Sequence, residues 1–453
     1  MPELPPSPPR DLPRALGVLP ALGVMIGIII GSGIFKTPSE IAGATQSPLV
    51  VLLCWLAGGV ISLFGAFTYA ELATMFPQSG GVYVFLREGY GRGMAFVFGW
   101  TYMLVSKPAA AAGIAVIFTE NLHPLLGITW DARYTTIALI VVLTFINARG
   151  VSLGAGVATV LTALKVLALL AIVALALALR KGSAGNFHAA PSLQPLHLVL
   201  VGIMSGVLWT YDGWSDVGAI AGEIKQPDRK LPFIYMGGTI FITGLYLAVN
   251  AVYIWMMPLS EMARQGNVAP AILTTLVGAA GGTAVMIIVV VSTLGSTLGS
   301  ILTGARVTYA QSRDGLLFAF LSRVHPRFGT PAVALWCQCA LSCAAVWFLE
   351  SFGRMAGSFV FTMWIFYGLA GATIFVMRVK RPDMPRAYRC LGYPLVPALF
   401  VASSVMMTVL SIMADWKTCL TWVGVLLAGI PVYLVWSRMT GKETERPSRA
   451  DTK

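Results

Sequence analysis

Two clusters of poor helix formers interrupt long apolar runs and raise the first chemical question. They are Gly31-Ser32-Gly33 and Thr210-Tyr211-Asp212-Gly213. A helix broken inside a bilayer leaves N–H and C=O groups that lipid cannot satisfy, so such breaks belong where backbone is buried or lines a cavity. A half-helix that restarts after a break offers free N–H groups and a positive dipole end, which suit a carboxylate. The carbonyls freed by unwinding suit an ammonium. Glycines in membrane helices also serve close packing or kinks, but two breaks in matching places favour a shared polar site.

Two lysines add to this. Lys165, in Leu161-Thr-Ala-Leu-Lys-Val-Leu, has apolar neighbours on most sides, and a lysine at mid-span costs about 2.5–3.5 kcal/mol on insertion scales, which makes it a functional candidate. The competing reading is a lysine reaching the membrane rim near Arg149. Lys107, beside Pro108, either faces a cavity or neutralises a polar pocket. Three roles are open to Asp212: binding a cationic side chain, capping a half-helix, or pairing with Lys107 or Lys165.

The elements that must position these residues are membrane helices. Of the 453 residues 57% are hydrophobic and 11% charged, and the mean hydropathy is +0.78, too apolar for a soluble globule of this size. The apolar runs are long enough to cross a hydrocarbon core as helices, and their unbroken character excludes a β-barrel. Twelve candidate spans follow, from 17–42 to 418–437. The breaks fall in the first (17–42) and sixth (197–222). Two sets of five spans, 17–180 and 197–378, therefore read as inverted repeats whose broken helices meet near the midplane. Residues 392–437 form an appendage of two helices, and 1–16 and 438–453 are tails. The Pro-rich stretch Met1 to Pro13 reads as a disordered tail, not a cleavable signal.

An even number of spans puts both termini on one side. Most of the 31 basic residues fall on that side, including Arg378, Lys380, Arg381, Arg386 and Arg389, against Lys36, Arg133, Arg180, Lys181, Arg264, Arg354 and Lys417 opposite. The bias makes both termini cytoplasmic and accounts for most of the +12 net charge. No nucleic-acid partner is needed to explain it.

Cys54, Cys337, Cys339, Cys343, Cys390 and Cys419 read as small buried hydrophobes. His123, His188, His197 and His325 show no ligand spacing, so neither a metal nor another cofactor is expected. Apart from Asp212 the spans lack the His, Asp or Glu cluster of a membrane-embedded enzyme. A channel would show a polar ring in place of paired breaks. A sensor retaining a transporter fold stays open.

The motifs resemble a known family. Gly27 to Phe35 followed by Pro38, Tyr69-Ala-Glu-Leu72, and Pro77 to Tyr83 resemble the first helices of the L-type amino acid transporters, in the amino acid-polyamine-organocation superfamily. Asn147-Ala-Arg-Gly150, Tyr211 to Trp214, Gly222 to Pro232, Gly304-Ala-Arg306 with Arg313-Asp-Gly315, and Tyr388 to Pro394 continue the likeness in order along nearly the whole chain.

The resemblance implies an all-α membrane protein with a LeuT-like 5+5 fold and two further helices, carrying amino acids without sodium, commonly by obligatory exchange. It further implies that Gly31, Ser32 and Gly33 hold the substrate carboxylate, and that carbonyls of Ile29, Trp209 and Asp212 take the ammonium. The Trp209 ring would cover the substrate from outside, with a packed aromatic as the alternative, and Tyr246 would couple the seventh helix to the first break unless it only packs the core. Sodium-coupled members of the fold bridge the first break to the eighth helix, where Ser292, Thr293, Ser296 and Thr297 would lie, through an ion. The resemblance puts Lys165 in its place, bonding carbonyls near Gly27 and the hydroxyl of Ser296 or Thr297.

Glu71, Glu223, Arg306 and Arg313 match the inner-gate region, where a solvated rim is the alternative. Neutral amino acid exchange ranks first, ahead of a proton-coupled importer and a cationic amino acid or polyamine carrier. Heavy-chain partners in this family attach through a cysteine between the third and fourth helices. The loop from His123 to Tyr134 has none, so no disulfide-linked heavy chain is expected.

Overall fold

The computed structural model describes residues 12–188, 196–349 and 352–439; of the two tails, 1–11 and 440–453 lie outside the described residues. The first run splits where expected, into α1 (Val18–Ile29) and α2 (Gly33–Ala44). Then come α3 (Pro48–Met75), α4 (Val82–Tyr90), α5 (Arg92–Thr101), α6 (Lys107–Leu126), α7 (Ala132–Ala148) and α8 (Val151–Leu179). Next are α9 (Leu196–Tyr211), α10 (Pro227–Met256), α11 (Leu259–Met262), α12 (Val268–Val277) and α13 (Ala279–Arg313). The chain closes with α14 (Ala332–Leu349), α15 (Phe352–Lys380), α16 (Leu395–Ala414) and α17 (Trp416–Met439).

Ten of these helices, counting α1–α2 and α5–α6 as one each, are long and apolar enough to cross a membrane. The chain is a multi-pass membrane protein. Among the described residues no strand forms, and a single parallel bridge joins Leu16 to Ile224.

Helical spacing explains how an apolar segment carries a buried charge. On α8 the buried residues Ala158, Thr162, Lys165, Leu169, Ile172 and Ala176 recur at steps of three and four. Val160, Leu164, Leu167 and Leu170 point the other way and are exposed. Lys165 thus sits on the protein-facing stripe, 1% exposed, and does not reach the rim at Arg149. That face packs on α1 and α13.

The second break ends α9 at Tyr211, and the chain resumes as a 3₁₀ helix over Trp214–Glu223. The break falls at the Thr210–Gly213 cluster inside the expected span 197–222, and the difference lies in the winding of the half that follows it. Ten residues is long for a 3₁₀ helix, whose hydrogen bonds are poorer than those of an α-helix, and such stretches often mark hinges or strain. Gly213 between the halves has φ +115°, and a Cβ there would come within 2.7 Å of Ile28 Cγ2 and 3.0 Å of Ile29 N. Only glycine lets the two breaks cross this closely.

Ion pairs tie the ends of the helices. Arg306 Nε donates to Glu223 Oε1 at 2.8 Å with both side chains fully buried. Glu71, expected in the same gate, instead accepts from Arg378 Nη2 at 2.7 Å, Arg386 Nε at 3.1 Å and the Cys390 N–H at 2.7 Å. Burial, with Glu71 adding to it, pushes the Cys390 thiol up to about 11. Arg313 lies over the Tyr309 ring, 6.0 Å from its centroid.

Candidate functional site at the crossing of two broken helices

Where the first break opens, the Gly31 N–H bonds the Ile29 carbonyl at 2.8 Å, a tight turn through Ile30. Its donor is spent. The following N–H groups, of Ser32, Gly33 and Ile34, stand at the start of α2, where no preceding turn supplies acceptors. Phe35 N–H already returns to the Ser32 carbonyl at 3.1 Å. Of the expected Gly31–Gly33 donors, the first is therefore engaged within the turn. Gly33 packs tightly on α9, where a Cβ would collide with the Thr210 hydroxyl.

A pocket of about 30 Å³ lies against Ser32 and Gly33 of this donor set. Ile29, Gly31, Ser32, Gly33, Trp209 and Asp212 all line it, together with Lys107, Asp216, Ser300 and Phe359. The hydroxyls of Ser32 and Ser300 are buried without a hydrogen-bond partner among the described residues. Buried polar atoms are normally satisfied, and two orphans facing one pocket mark it as a place for a polar guest. The Trp209 ring meets Phe359 edge-on, 5.4 Å between centroids at 87°, along one wall of the pocket.

Not all the expected carbonyls are equally open. The Ile29 oxygen already accepts from Gly31 N–H and from Tyr246 Oη at 2.8 Å, so both its lone pairs are engaged. The Trp209 carbonyl accepts the Asp212 N–H at 3.1 Å. Tyr246 Oη also reaches the Thr210 carbonyl at 3.3 Å, so one hydroxyl touches both breaks.

Beside the first break, Lys165 Nζ donates to the Gly27 carbonyl at 2.7 Å, the Ile30 carbonyl at 2.8 Å and Ser296 Oγ at 2.8 Å. An ammonium has three N–H donors, and all are used. Ser296 Oγ also contacts the Gly27 and Ile30 oxygens, at 2.7 and 3.0 Å, and Ser292 Oγ bonds Ile30 at 3.0 Å. Thr297 is not brought in, because its hydroxyl bonds the Thr293 carbonyl of its own helix at 2.8 Å.

The acidic residues divide differently from the sequence reading. Asp212 pairs with neither lysine; its Oδ1 accepts from Tyr367 Oη at 2.8 Å. Lys107 Nζ instead meets Asp216 Oδ1 at 2.7 Å, both side chains buried. Asp216 is thus a second carboxylate at the pocket, contrary to the expectation that Asp212 stood alone. Tyr367, Phe359 and Ser300 were also missed. An acid four residues beyond Asp212 in an apolar run was the available signal for Asp216, since Lys107 needed a partner.

A polar pocket at the crossing of two interrupted helices, inside a multi-pass bundle, is the architecture of a solute carrier. Comparison with known proteins agrees, and the chain belongs to the amino acid permease family, whose model matches residues 16–436. It is similar to the serine/threonine exchanger SteT of Bacillus subtilis, 31% identical over 94% of this chain and 97% of that protein. The b(0,+)-type amino acid transporter 1 of Rattus norvegicus is 30% identical over 98% and 92% of the two chains. The cystine/glutamate transporter of Homo sapiens is 31% identical over 94% and 87%. These relatives are transporters and exchangers, and the family is one of permeases and not of enzymes.

Proposed function

We propose that this protein exchanges neutral L-amino acids across the cell membrane by alternating access, without sodium. The observation that carries the reading is the Lys165 ammonium, bonded to Gly27 and Ile30 at the first break and to Ser296, beside a pocket with backbone donors at its floor. In this scheme the N–H groups of Ser32, Gly33 and Ile34 hold the substrate carboxylate. The Trp209 and Asp212 carbonyls take most of the ammonium contact, with Ile29 contributing less because two donors already occupy it. Trp209 closes over the substrate, Tyr246 links the breaks, and Lys165 with Ser296 replaces an ion; Thr297 supports this only through its helix.

The twelve-span scheme adds α7 and the α9–3₁₀ pair to the ten long helices, with 17–180 and 197–378 as the inverted repeats and 392–437 as an addition. Both termini are then cytoplasmic, and the cleft of about 390 Å³ lined by Arg14, Gln78, Arg87, Arg313 and Asp314 is the inner vestibule. The protein is proposed to work without a disulfide-linked heavy chain. A second reading, a carrier of cationic amino acids, is favoured by the Asp212 carboxylate on the pocket wall.

Counterflow in proteoliposomes tests the scheme. Labelled neutral amino acid should accumulate only in vesicles preloaded with unlabelled substrate, at rates that do not change when Na⁺ is replaced by choline. Uptake that requires a Na⁺ gradient, or proceeds equally into empty vesicles, would refute it.

A further inference from the structure

We propose that Asp216 excludes acidic side chains from the pocket by occupying the Lys107 ammonium. The inference deepens the exchanger reading and rests on it. Among the described residues lining the pocket, Lys107 is the one cation, against the two carboxylates of Asp212 and Asp216. The lysine is built into its place. It follows a π-helical turn at Tyr102–Ser106 and precedes Pro108, whose missing N–H interrupts the regular ladder. Across from it Gly304 leaves room for the stem, since a Cβ there would lie 2.4 Å from Lys107 Cγ.

Asp216, in the first turn of the 3₁₀ helix, takes that ammonium at 2.7 Å, with side chains 4% and 7% exposed. A substrate carrying a side-chain carboxylate would therefore meet the Asp212 carboxyl group, bonded to Tyr367 and not to a cation, and a lysine already engaged by Asp216. In a poorly solvated pocket such like-charge approach is strongly unfavourable, whereas a neutral amide of the same shape meets no such field. Discrimination here arises from what the site withholds. Neutralising Asp216 would release the Lys107 ammonium to face an incoming carboxylate.

The readout is the ratio of half-inhibitory concentrations of glutamate and glutamine against exchange of a neutral amino acid that the wild type carries. The two competitors have nearly the same shape and differ in charge. Asp216→Asn should shift this ratio at least about tenfold toward glutamate, whatever it does to the rate. The double variant Lys107→Met/Asp216→Leu, which replaces the pair with apolar groups of similar size, should return the ratio to the wild-type value. An unchanged ratio in Asp216→Asn, or an equal gain in the double variant, would overturn the proposal.

Should Asp216→Asn not purify as a monodisperse species, Asp216→Ser carries the same prediction; if neither can be purified the pair is a structural clamp and the proposal falls. Failure of the wild type to exchange any neutral amino acid would instead remove the exchanger reading, and is seen before any variant is made.

Discussion

Lys165→Met keeps the length of the side chain and removes its charge and three N–H donors. Each charge-assisted bond contributes about 1.5–3 kcal/mol, but burying the ammonium itself costs several kcal/mol, which the variant no longer bears. The acceptors are not abandoned either. Gly27 and Ile30 keep the Ser296 hydroxyl at 2.7 and 3.0 Å, and Ile30 keeps Ser292 as well. The net change in stability should stay within roughly 2 kcal/mol, a shift of a few degrees in melting temperature. Transport should suffer more. A tie between the first break and α13 that exists in one state and not the other biases their populations, and losing even about 1.4 kcal/mol of that difference changes them tenfold. Detergent melts and proteoliposome counterflow on the same preparation separate the two effects. A Lys165→Met protein that melts normally and exchanges at the wild-type rate would refute the coupling role, and one that fails to fold would make the lysine structural.

Four further outcomes are expected. Gly33→Val should abolish substrate binding, measured by ligand-induced thermal shift, because the first added carbon already meets Thr210 Oγ1 at 2.3 Å and overpacking costs about 1–3 kcal/mol; esters or amides competing as well as free amino acids would speak against the carboxylate site beside it. Trp209→Ala, which removes the ring packed on Phe359, should raise the apparent Michaelis constant several-fold at normal expression, and unchanged kinetics would count against a lid. Glu223→Leu should destabilise by about 3–5 kcal/mol in thermal melts because it leaves the fully buried Arg306 unpaired, and Glu223→Leu/Arg306→Met should recover most of that loss. Since its raised pKa of about 11 keeps Cys390 protonated at pH 8, maleimide should label it slowly there and faster as pH rises; rapid labelling at neutral pH would contradict its burial.

How much could be read from sequence depended on whether the signal was local. Lys165 and the glycine break stood out because a charge or a helix-breaking cluster in an apolar run has a cost that demands compensation. Tyr246 and Ser296 came with the family resemblance, and their hydroxyls reach the first break. The turn that spends the Gly31 donor was not legible, because it depends on the φ and ψ of Ile30 alone, an ordinary apolar residue. Nor was the 3₁₀ form of Trp214–Glu223, since glycine and alanine tolerate either winding. The partner of Lys107 lies 109 positions away, and helix crossing, not spacing, decides which acid it meets. The short α4 escaped because nine residues carry little periodic signal.

The bridge between Leu16 and Ile224 acquires a mechanical meaning from the helix that ends beside it. Leu16 N–H bonds the Glu223 carbonyl at 2.9 Å, and the Lys225 N–H bonds the Leu16 carbonyl at 2.9 Å, so the entry to α1 is stitched to the far end of Trp214–Glu223. Ten residues wound as a 3₁₀ helix extend about 20 Å. The same ten wound as an α-helix extend about 15 Å. Rewinding this segment would therefore reel in its end by about 5 Å and haul Leu16 with it, turning a local change of pitch into a stroke shared by both broken helices.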